Sequence, residues 1–172
     1  MKLDDDDFAL FDLPRSFAQD RANIDQRWKA LQSEVHPDRF AAEGAASQRL
    51  AMQWAVRVNE AHRRLRDPLA RAAYLCELLG APINAENNTA MPASFLMEQM
   101  EWREALDEAT GVAEVEALDD EVLQREHALL QHIGVLLDEQ NDAAAASAEV
   151  RALMFITRFR EDVNRRLEQL ES

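Results

Sequence analysis

The sequence contains few of the residues that interrupt helices. Only four glycines and five prolines occur in 172 residues, whereas Ala, Leu, Glu and Arg are abundant. Glycine and proline are the residues least favourable to a helix interior, and the abundant four are among the most favourable. The composition therefore predicts an all-α fold. The length permits one domain or two small ones, and the 47% of hydrophobic residues suffices for a core in either case.

Cysteine and long apolar runs are also scarce. Cys76 is the single cysteine, which excludes an internal disulfide and is typical of a reducing compartment. No stretch reaches the ~18 apolar residues of a membrane span, and an acidic run at residues 4–7 replaces the basic start of a signal peptide. We therefore expect a soluble, cytoplasmic protein with no membrane partner, in which Cys76 is a small buried hydrophobic residue.

Acidic residues are concentrated in the second half of the chain. Residues 1–75 carry 12 basic and 12 acidic side chains, whereas residues 76–172 carry 7 basic and 21 acidic ones. This asymmetry predicts two modules with different partners. Nucleic acid is not an expected partner of the second module, because its acidic surface would repel phosphates. The alternative is a solvated acidic surface that only aids solubility.

Apolar periodicity predicts four helices in the first half, over residues 8–13, 20–35, 47–66 and 69–79. Asp20 is a favourable N-cap for the second helix, and Pro37 ends it because proline disfavours helix in the preceding residue. Two stripes are expected to face the core: Ile24, Trp28, Leu31 and Val35 on the second helix, and Leu50, Trp54, Val58, Ala61 and Leu65 on the third.

The segment 80–93 contains glycine, two prolines and three asparagines, and it has no apolar period. Such a composition is typical of a linker. The predicted organisation is a first domain at residues 1–76, a connecting segment at 77–93 and a second domain at 94–172. In the second domain, helices over about 94–109, 112–139 and 142–170 with short connections predict an up-down-up three-helix bundle.

The tripeptide His36-Pro37-Asp38 stands between two amphipathic helices. Taken alone it could be a helix stop with an aspartate turn. With the short helix at 8–14 and the segment 58–74, however, it closely resembles a J-domain. The resemblance implies that the loop binds a DnaK-class ATPase chaperone and favours its hydrolysis-competent state, a population shift by differential binding. The expected chaperone-binding residues are His36, Pro37 and Asp38, with Arg27, Lys29 and Arg39 as a basic face that Arg21 extends.

Each of these basic residues could instead be an ordinary solvated charge. The sequence places no nucleophile or metal ligand beside His36, so we expect no catalysis by the loop and no enzymatic activity. His127 and His132 are five residues apart and diverge on a helix, so they are not expected to bind metal. We expect no cofactor.

The second half lacks the Gly/Phe-rich stretch and the cysteine repeats of general J-proteins. Residues 74–80 and 95–101 instead resemble the HscB-type iron–sulfur cluster co-chaperones, and the resemblance covers essentially the whole chain. The paired cysteines that bind zinc in some eukaryotic relatives are missing. That resemblance implies an L-shaped, two-domain, all-α arrangement. It also implies two partners, an HscA-class ATPase chaperone and the IscU-type scaffold.

The helix at 94–109 carries apolar residues on two faces. At about 100° per residue, Phe95, Trp102, Leu106 and Ala109 form a core stripe. A second row, made of Leu96, Met100 and Glu104, points nearly away from that stripe. Exposed apolar residues rimmed by carboxylates indicate a protein-binding patch. Alternatively, the helix packs on both faces, partly against the J-domain. The resemblance assigns scaffold binding to Leu96, Met97, Met100, Glu101, Glu104, Glu108 and Phe155. Phe155 lies off the apolar stripe of its own helix, which predicts an exposed side chain.

Two other functions remain as alternatives. A general J-protein would deliver unfolded clients to a DnaK-class chaperone, although a compact acidic bundle is unlike the flexible or β-rich client domains of such proteins. An enzyme built on a helical bundle would need a Glu-x-x-His pattern for two metals, and the sequence has none.

Overall fold

The computed structural model describes residues 1–84 and 87–172, and in these ranges it contains helices and no strand. Ala85 and Glu86, inside the predicted linker, lie outside the described residues. The helices are α1 (Asp7–Leu10), α2 (Arg21–Val35), α3 (Ala45–Arg66), α4 (Pro68–Leu78), α5 (Ala93–Glu108), α6 (Val112–Gly134) and α7 (Ala143–Glu171). A 3₁₀ turn spans Pro37–Phe40, and a π-helical turn spans Val135–Glu139.

The predicted helices are confirmed, with differences at their ends. Asp20 caps α2 by accepting a hydrogen bond from the Ala22 N–H at 3.0 Å. Helix α1 is shorter than predicted, because the chain leaves it at Phe11 and Asp12 takes a positive φ of 52°. The predicted helix at 112–139 is regular only to Gly134, after which the bonding pattern widens to the π-helical turn.

The chain divides into two compact units, Met1–Leu75 and Cys76–Ser172. In the first unit α2 and α3 form an antiparallel hairpin, since Asp25 near the start of α2 is bonded to His62 near the end of α3. Phenylalanines of the N-terminal segment complete the core beside residues of the hairpin. The fully buried large side chains described here are Phe8, Phe11, Ile24, Val58, Leu65 and Leu75.

The predicted core stripe of α3 is wrong at its first position. Leu50 is 50% exposed, whereas its neighbour Ala51 is buried. The buried face of α3 is centred on Ala51 and Val58, and consecutive residues on a helix are about 100° apart. Leu50 therefore lies beside the core face. Val58, Ala61 and Leu65 are buried as predicted.

A buried aspartate attaches the N-terminal segment to α3. Asp7 is fully buried and accepts hydrogen bonds at 2.7 Å from Arg57 Nη1 and from Arg64 Nε. Its backbone N–H donates to the hydroxyl of Tyr74 at 3.1 Å. Two guanidinium groups compensate the loss of water around this carboxylate, which would otherwise make its burial costly.

In the second unit α5, α6 and α7 enclose one apolar core. The predicted α5 stripe is confirmed, because Phe95, Trp102, Leu106 and Ala109 are all buried. On α7, Val150, Leu153, Ile156 and Val163 are buried, and Leu167 and Leu170 pack against the same core. Rings of α5 and α7 contact each other, with the Trp102 and Phe159 centroids 6.0 Å apart.

The segment before α5 is bonded to α7. The guanidinium of Arg151, which is buried, donates to the carbonyl oxygens of Ala90 at 2.6 Å and Ile83 at 3.0 Å. Ile83 is itself buried. Cys76 is buried as predicted, and desolvation raises the pKa of its thiol to about 11. Among the described residues, no helix has the length and apolarity needed to cross a bilayer.

Candidate partner-binding sites

The loop between α2 and α3 is fixed by its own hydrogen bonds. Helix α2 ends at Val35, and His36 is extended (φ −60°, ψ 129°), as expected before a proline. Pro37 occupies the first position of the 3₁₀ turn, where its missing N–H costs nothing. The Asp38 N–H donates to Nδ1 of His36 at 3.2 Å, so the imidazole caps the turn.

The side chains at the tip of the loop face solvent. The His36 side chain is 52% exposed and that of Asp38 is 92% exposed. The two groups are close, with 3.7 Å between His36 Nδ1 and Asp38 Oδ2. A partner can therefore reach both functional groups without rearranging the loop.

The four basic residues differ in how freely they could meet a partner. Lys29 is exposed and makes no hydrogen bond or ion pair in the described part of the chain. Arg27 is paired with Asp12 at 3.4 Å, and both side chains remain largely in water, where such pairs contribute little. Arg39 differs, because its Nη1 donates to the carbonyl oxygen of Ser33 at 3.1 Å. Arg21 is exposed at the start of α2.

A polar and aromatic cluster joins α2 to α3 at the end of the hairpin opposite the loop. The rings of Trp28 and His62 are stacked, with centroids 4.2 Å apart and planes 7° from parallel. Trp28 Nε1 donates to Asn59 Oδ1 at 2.9 Å, and His62 Nε2 is 2.8 Å from Asp25 Oδ1. The hydrogen bond with His62 lowers the pKa of the Asp25 carboxyl. Local sequence patterns do not reveal this cluster, because its members on the two helices lie 31 to 37 positions apart.

The second row of α5 is exposed, as its angular position predicts. Leu96, Met97 and Met100 are 48%, 63% and 70% exposed. We call these three residues the α5 patch. Their helix is already anchored by its core stripe, so their exposure leaves unpartnered apolar surface of the kind that marks interaction sites.

Carboxylates surround the α5 patch. Glu101, Glu104 and Glu108 are exposed and, within the described residues, make no hydrogen bond or ion pair. Asp107, which the sequence analysis did not single out, has the same environment. A shallow depression beside the α5 patch includes Met100 and is lined by Gln99, Met100, Arg103, Glu104, Asp107, Glu108 and Phe155. The predicted scaffold-binding residues Met100, Glu104, Glu108 and Phe155 thus share one concave surface.

The prediction that Phe155 is exposed is only partly right. Its side chain is half-buried and packs against the core. The ring lies 5.8 Å from Phe95 in an edge-to-face arrangement and 5.9 Å from Phe159 in a stacked one. The remaining part of the ring lines the depression. Phe155 therefore links the exposed surface to the core.

Two ion pairs hold α5 on either side, and sequence patterning did not reveal them. Glu98 pairs with Arg125 of α6 at 2.8 Å, and Arg103 pairs with Asp162 of α7 at 2.9 Å. The Arg103 guanidinium also lies 5.1 Å from the centre of the Phe159 ring. The hydrogen bond from Arg103 lowers the pKa of the Asp162 carboxyl.

Within residues 1–84 and 87–172, no group of three or more His, Cys, Asp or Glu side chains is arranged to hold a metal. His132 lies 3.3 Å from Glu149, measured from Nδ1 to Oε1. His127 is exposed on α6.

Known proteins resemble this chain both in its second half and over its full length. Residues 91–164 match the family model described as the HSCB C-terminal oligomerisation domain. A relative named co-chaperone protein HscB homolog, from Burkholderia multivorans, is 52% identical over 175 residues, covering 100% of this chain and 99% of the relative. The chain belongs to the HscB co-chaperone family.

Solved HscB structures have the same fold. The chaperone HscB from Vibrio cholerae matches with a TM-score of 0.81 at 34% identity, over 96% of this chain and 99% of that one. The human co-chaperone HscB matches with a TM-score of 0.89 at 27% identity, over 100% of this chain and 86% of that one. These matches confirm the all-helical fold, with a J-domain-like first half and a helical second half. As an HscB protein, this chain has a co-chaperone role in iron–sulfur cluster biogenesis. Its relatives are named co-chaperones, which is a non-enzymatic role.

Proposed function

We propose that this HscB-family protein binds an IscU-type scaffold through the α5 patch and its carboxylate rim. At the same time it stimulates an HscA-class ATPase through the His36-Pro37-Asp38 loop, and so promotes cluster transfer in the cytoplasm. In this proposal residues 1–76 form the chaperone-binding module, residues 94–172 the scaffold-binding module and residues 77–93 their connection. The observation that carries it is the exposure of Leu96, Met97 and Met100 on a helix whose core face is already filled.

The loop supports the chaperone half of the proposal. His36 and Asp38 present an imidazole and a carboxylate from a turn that internal hydrogen bonds hold. Such a rigid tip loses little conformational entropy on binding, which favours affinity. Stimulation then follows if the tip binds the hydrolysis-competent state of the ATPase more tightly than the other state. No bond is made or broken by this chain.

Exposed basic residues of α2 extend the same surface. Lys29 has no partner among the described residues, and the Arg27 pair is exposed and weak. An acidic face on the ATPase would be attracted to both. Such charges act mainly on the rate of encounter, and their effect falls with salt.

The α5 patch supports the scaffold half. Its three side chains would lose contact with water on binding, which is favourable by about 25 cal/mol per Å² of apolar surface. Met97 and Met100 are flexible and polarizable and can adapt to a partner's surface. The unpaired carboxylates of Glu101, Glu104 and Glu108 around them favour a partner with a basic rim.

The proposal is tested by titrating an HscA-class ATPase with this protein, with and without the IscU-type scaffold. We expect stimulation by the protein alone and a more than additive effect when the scaffold is present, because one molecule would engage both partners. Additive effects, or stimulation by any unfolded client in place of the scaffold, would indicate a general J-protein instead.

A further inference from the structure

A row of exposed side chains runs along α3 on the side away from the core. At about 100° per residue its members lie within about 80° of one another, nearly opposite the buried residues Val58, Ala61 and Leu65. We call this row the outer α3 face, and it consists of Arg49, Met52, Val56, Glu60 and Arg63.

The centre of the outer α3 face is apolar. Met52 and Val56 are each 58% exposed and lie one helical turn apart. They line a shallow depression together with Gln53, Arg57 and Glu60. Since α3 is already held by its buried face, this second apolar surface is not needed for packing of the first unit. Its removal from water by a partner would be favourable.

Opposite charges stand at the two ends of this apolar centre. Arg49 lies about one turn before it and Glu60 about one turn after it, and both are exposed. Neither makes a hydrogen bond or an ion pair in the described part of the chain. The midpoint between Arg49 and Glu60 differs from that between Met52 and Val56 by half a residue, about 0.8 Å along the helix axis. The outer α3 face is therefore complementary to its own reversed copy.

We propose that the outer α3 face binds a second copy of this chain, with the two α3 helices antiparallel about a two-fold axis that passes midway between Met52 and Val56. In such an interface the same surface meets itself, so each contact occurs twice. Met52 of one protomer packs on Val56 of the partner subunit, and Arg49 pairs with Glu60 of the partner subunit. This inference does not depend on the proposed function.

The charges also select this arrangement over the others that would bury the same apolar residues. Parallel helices would place Arg49 against Arg49 and Glu60 against Glu60. An antiparallel pairing shifted so that Val56 lies on the axis would place Arg49 against Arg63. Like charges in contact are unfavourable, and only the proposed register brings Arg49 to Glu60.

The expected dimer is weak, because one face of one helix is smaller than the ~800 Å² per partner of a standard interface. Sedimentation equilibrium of the full-length chain, from about 10 µM to about 1 mM, covers the range expected of such an interface. We expect the mean mass to rise towards that of a dimer across this range.

The first test places a charge in the apolar centre. We expect Val56→Glu to raise the dissociation constant at least about tenfold, as for the loss of a central interface residue. Leu79→Glu is the matched control, because Leu79 is 47% exposed and lies outside the outer α3 face. It should associate as the wild type does.

The second test reverses the charges. Arg49→Glu and Glu60→Arg should each weaken association about fivefold at low salt, since an exposed pair contributes modestly but occurs twice in the dimer. The double variant restores opposite charges and should associate within about twofold of the wild type. The effects of the single variants should shrink at high salt.

Three results would overturn the inference. A mass that stays monomeric up to about 1 mM would exclude the dimer. A double charge-reversal variant as weak as the single variants would exclude the antiparallel register. Association that Val56→Glu leaves unchanged and Met97→Glu abolishes would place the interface on the α5 patch instead. Because neither the ATPase nor the scaffold is present, these results are independent of the proposed function.

Discussion

Arg39 donates a hydrogen bond from Nη1 to the carbonyl oxygen of Ser33, at 3.1 Å, and so caps the last turn of α2. The final carbonyl groups of a helix have no partner within the helix, and a cation near them is also favoured by the helix dipole. Arg39 was expected from the sequence to contact the ATPase, and the structure shows that it also stabilises the last turn of α2, just before the loop.

Because Arg39 is bonded to Ser33 and Lys29 has no partner among the described residues, we expect their replacement by alanine to have different effects. We expect Arg39→Ala to speed hydrogen exchange in the last turn of α2 and to lower the maximal ATPase stimulation, because the loop loses part of its support. Lys29→Ala is the matched control. It should leave exchange unchanged and weaken only the apparent affinity, more at low salt than at high salt. Unchanged exchange in Arg39→Ala would show that the Ser33 bond does not hold the helix end.

For the α5 patch, we expect the double substitution Leu96→Ala, Met100→Ala to weaken scaffold binding by about 2–4 kcal/mol, as for interface hot spots. Isothermal titration calorimetry with the IscU-type scaffold measures it. Both side chains are exposed, so folding stability should not change. Phe155→Ala would weaken binding too, but it also removes core contacts with Phe95 and Phe159.

The control for this experiment is Met52→Ala, which truncates an equally exposed apolar side chain on α3 in the other unit. Its affinity for the scaffold should equal that of the wild type. If the double variant binds as tightly as Met52→Ala, the α5 patch is not the scaffold-binding surface.

Asp7 lies outside both candidate binding sites, and we expect its substitution to lower the stability of the fold. Asp7→Ala removes the buried acceptor of Arg57 and Arg64. Because the Arg64 side chain is partly exposed and Arg57 keeps its bonds to the Leu3 and Asp5 carbonyl oxygens, we expect a loss of about 1–3 kcal/mol, as for lost hydrogen bonds to a charged group. Hydrogen exchange under mild denaturant, read at the amides of α1 and α3, should show this loss. Asp4→Ala removes an exposed carboxylate of the same acidic run and is expected to change stability little. Equal exchange in the two variants would contradict the role of Asp7.

The ionisation of Asp162 is expected to make the free energy of unfolding depend on pH in the acid range. Its pKa lies below the ordinary 3.8, chiefly because Arg103 donates a hydrogen bond to the carboxylate. A lowered folded-state pKa contributes stability that is complete above the unfolded-state pKa and is lost as the pH falls through the folded-state value. We therefore expect the contribution to be complete at about pH 5 and above, to decline as the pH falls below about 3.8, and to disappear only below the lowered folded-state pKa.

Carboxyl carbon-13 titration checks the Asp162 prediction directly. The wild-type midpoint should lie below 3.8, and Arg103→Ala should move it towards 3.8. In unfolding experiments Asp162→Asn should flatten the acid limb of the stability curve, whereas Asp120→Asn, at an exposed position, should not. A midpoint that does not respond to Arg103→Ala would show that another group lowers the pKa.

Much of the fold was predictable from local sequence signals, namely helix caps, prolines and apolar periodicity. Asp20 caps α2 and Pro37 ends it because capping and the steric effect of proline act within a few residues. The exposure of Leu96, Met97 and Met100 was predictable, since the angle of a residue on a helix depends only on its position relative to a strong core stripe. On α3 the stripe was less marked, and the same reasoning placed Leu50 wrongly.

The contacts between residues that are distant in the sequence were decided only by the tertiary structure. Nothing local distinguishes Asp7 from the other aspartates of its run, and only the approach of Arg57 and Arg64 allows its burial. Likewise Phe155 is half-buried because α5 brings Phe95 to its edge. The sequence alone determined that His36, Pro37 and Asp38 form a loop between two helices. Only the folded loop, in which the chain folds back within hydrogen-bond distance, shows that His36 Nδ1 and Arg39 are bonded internally.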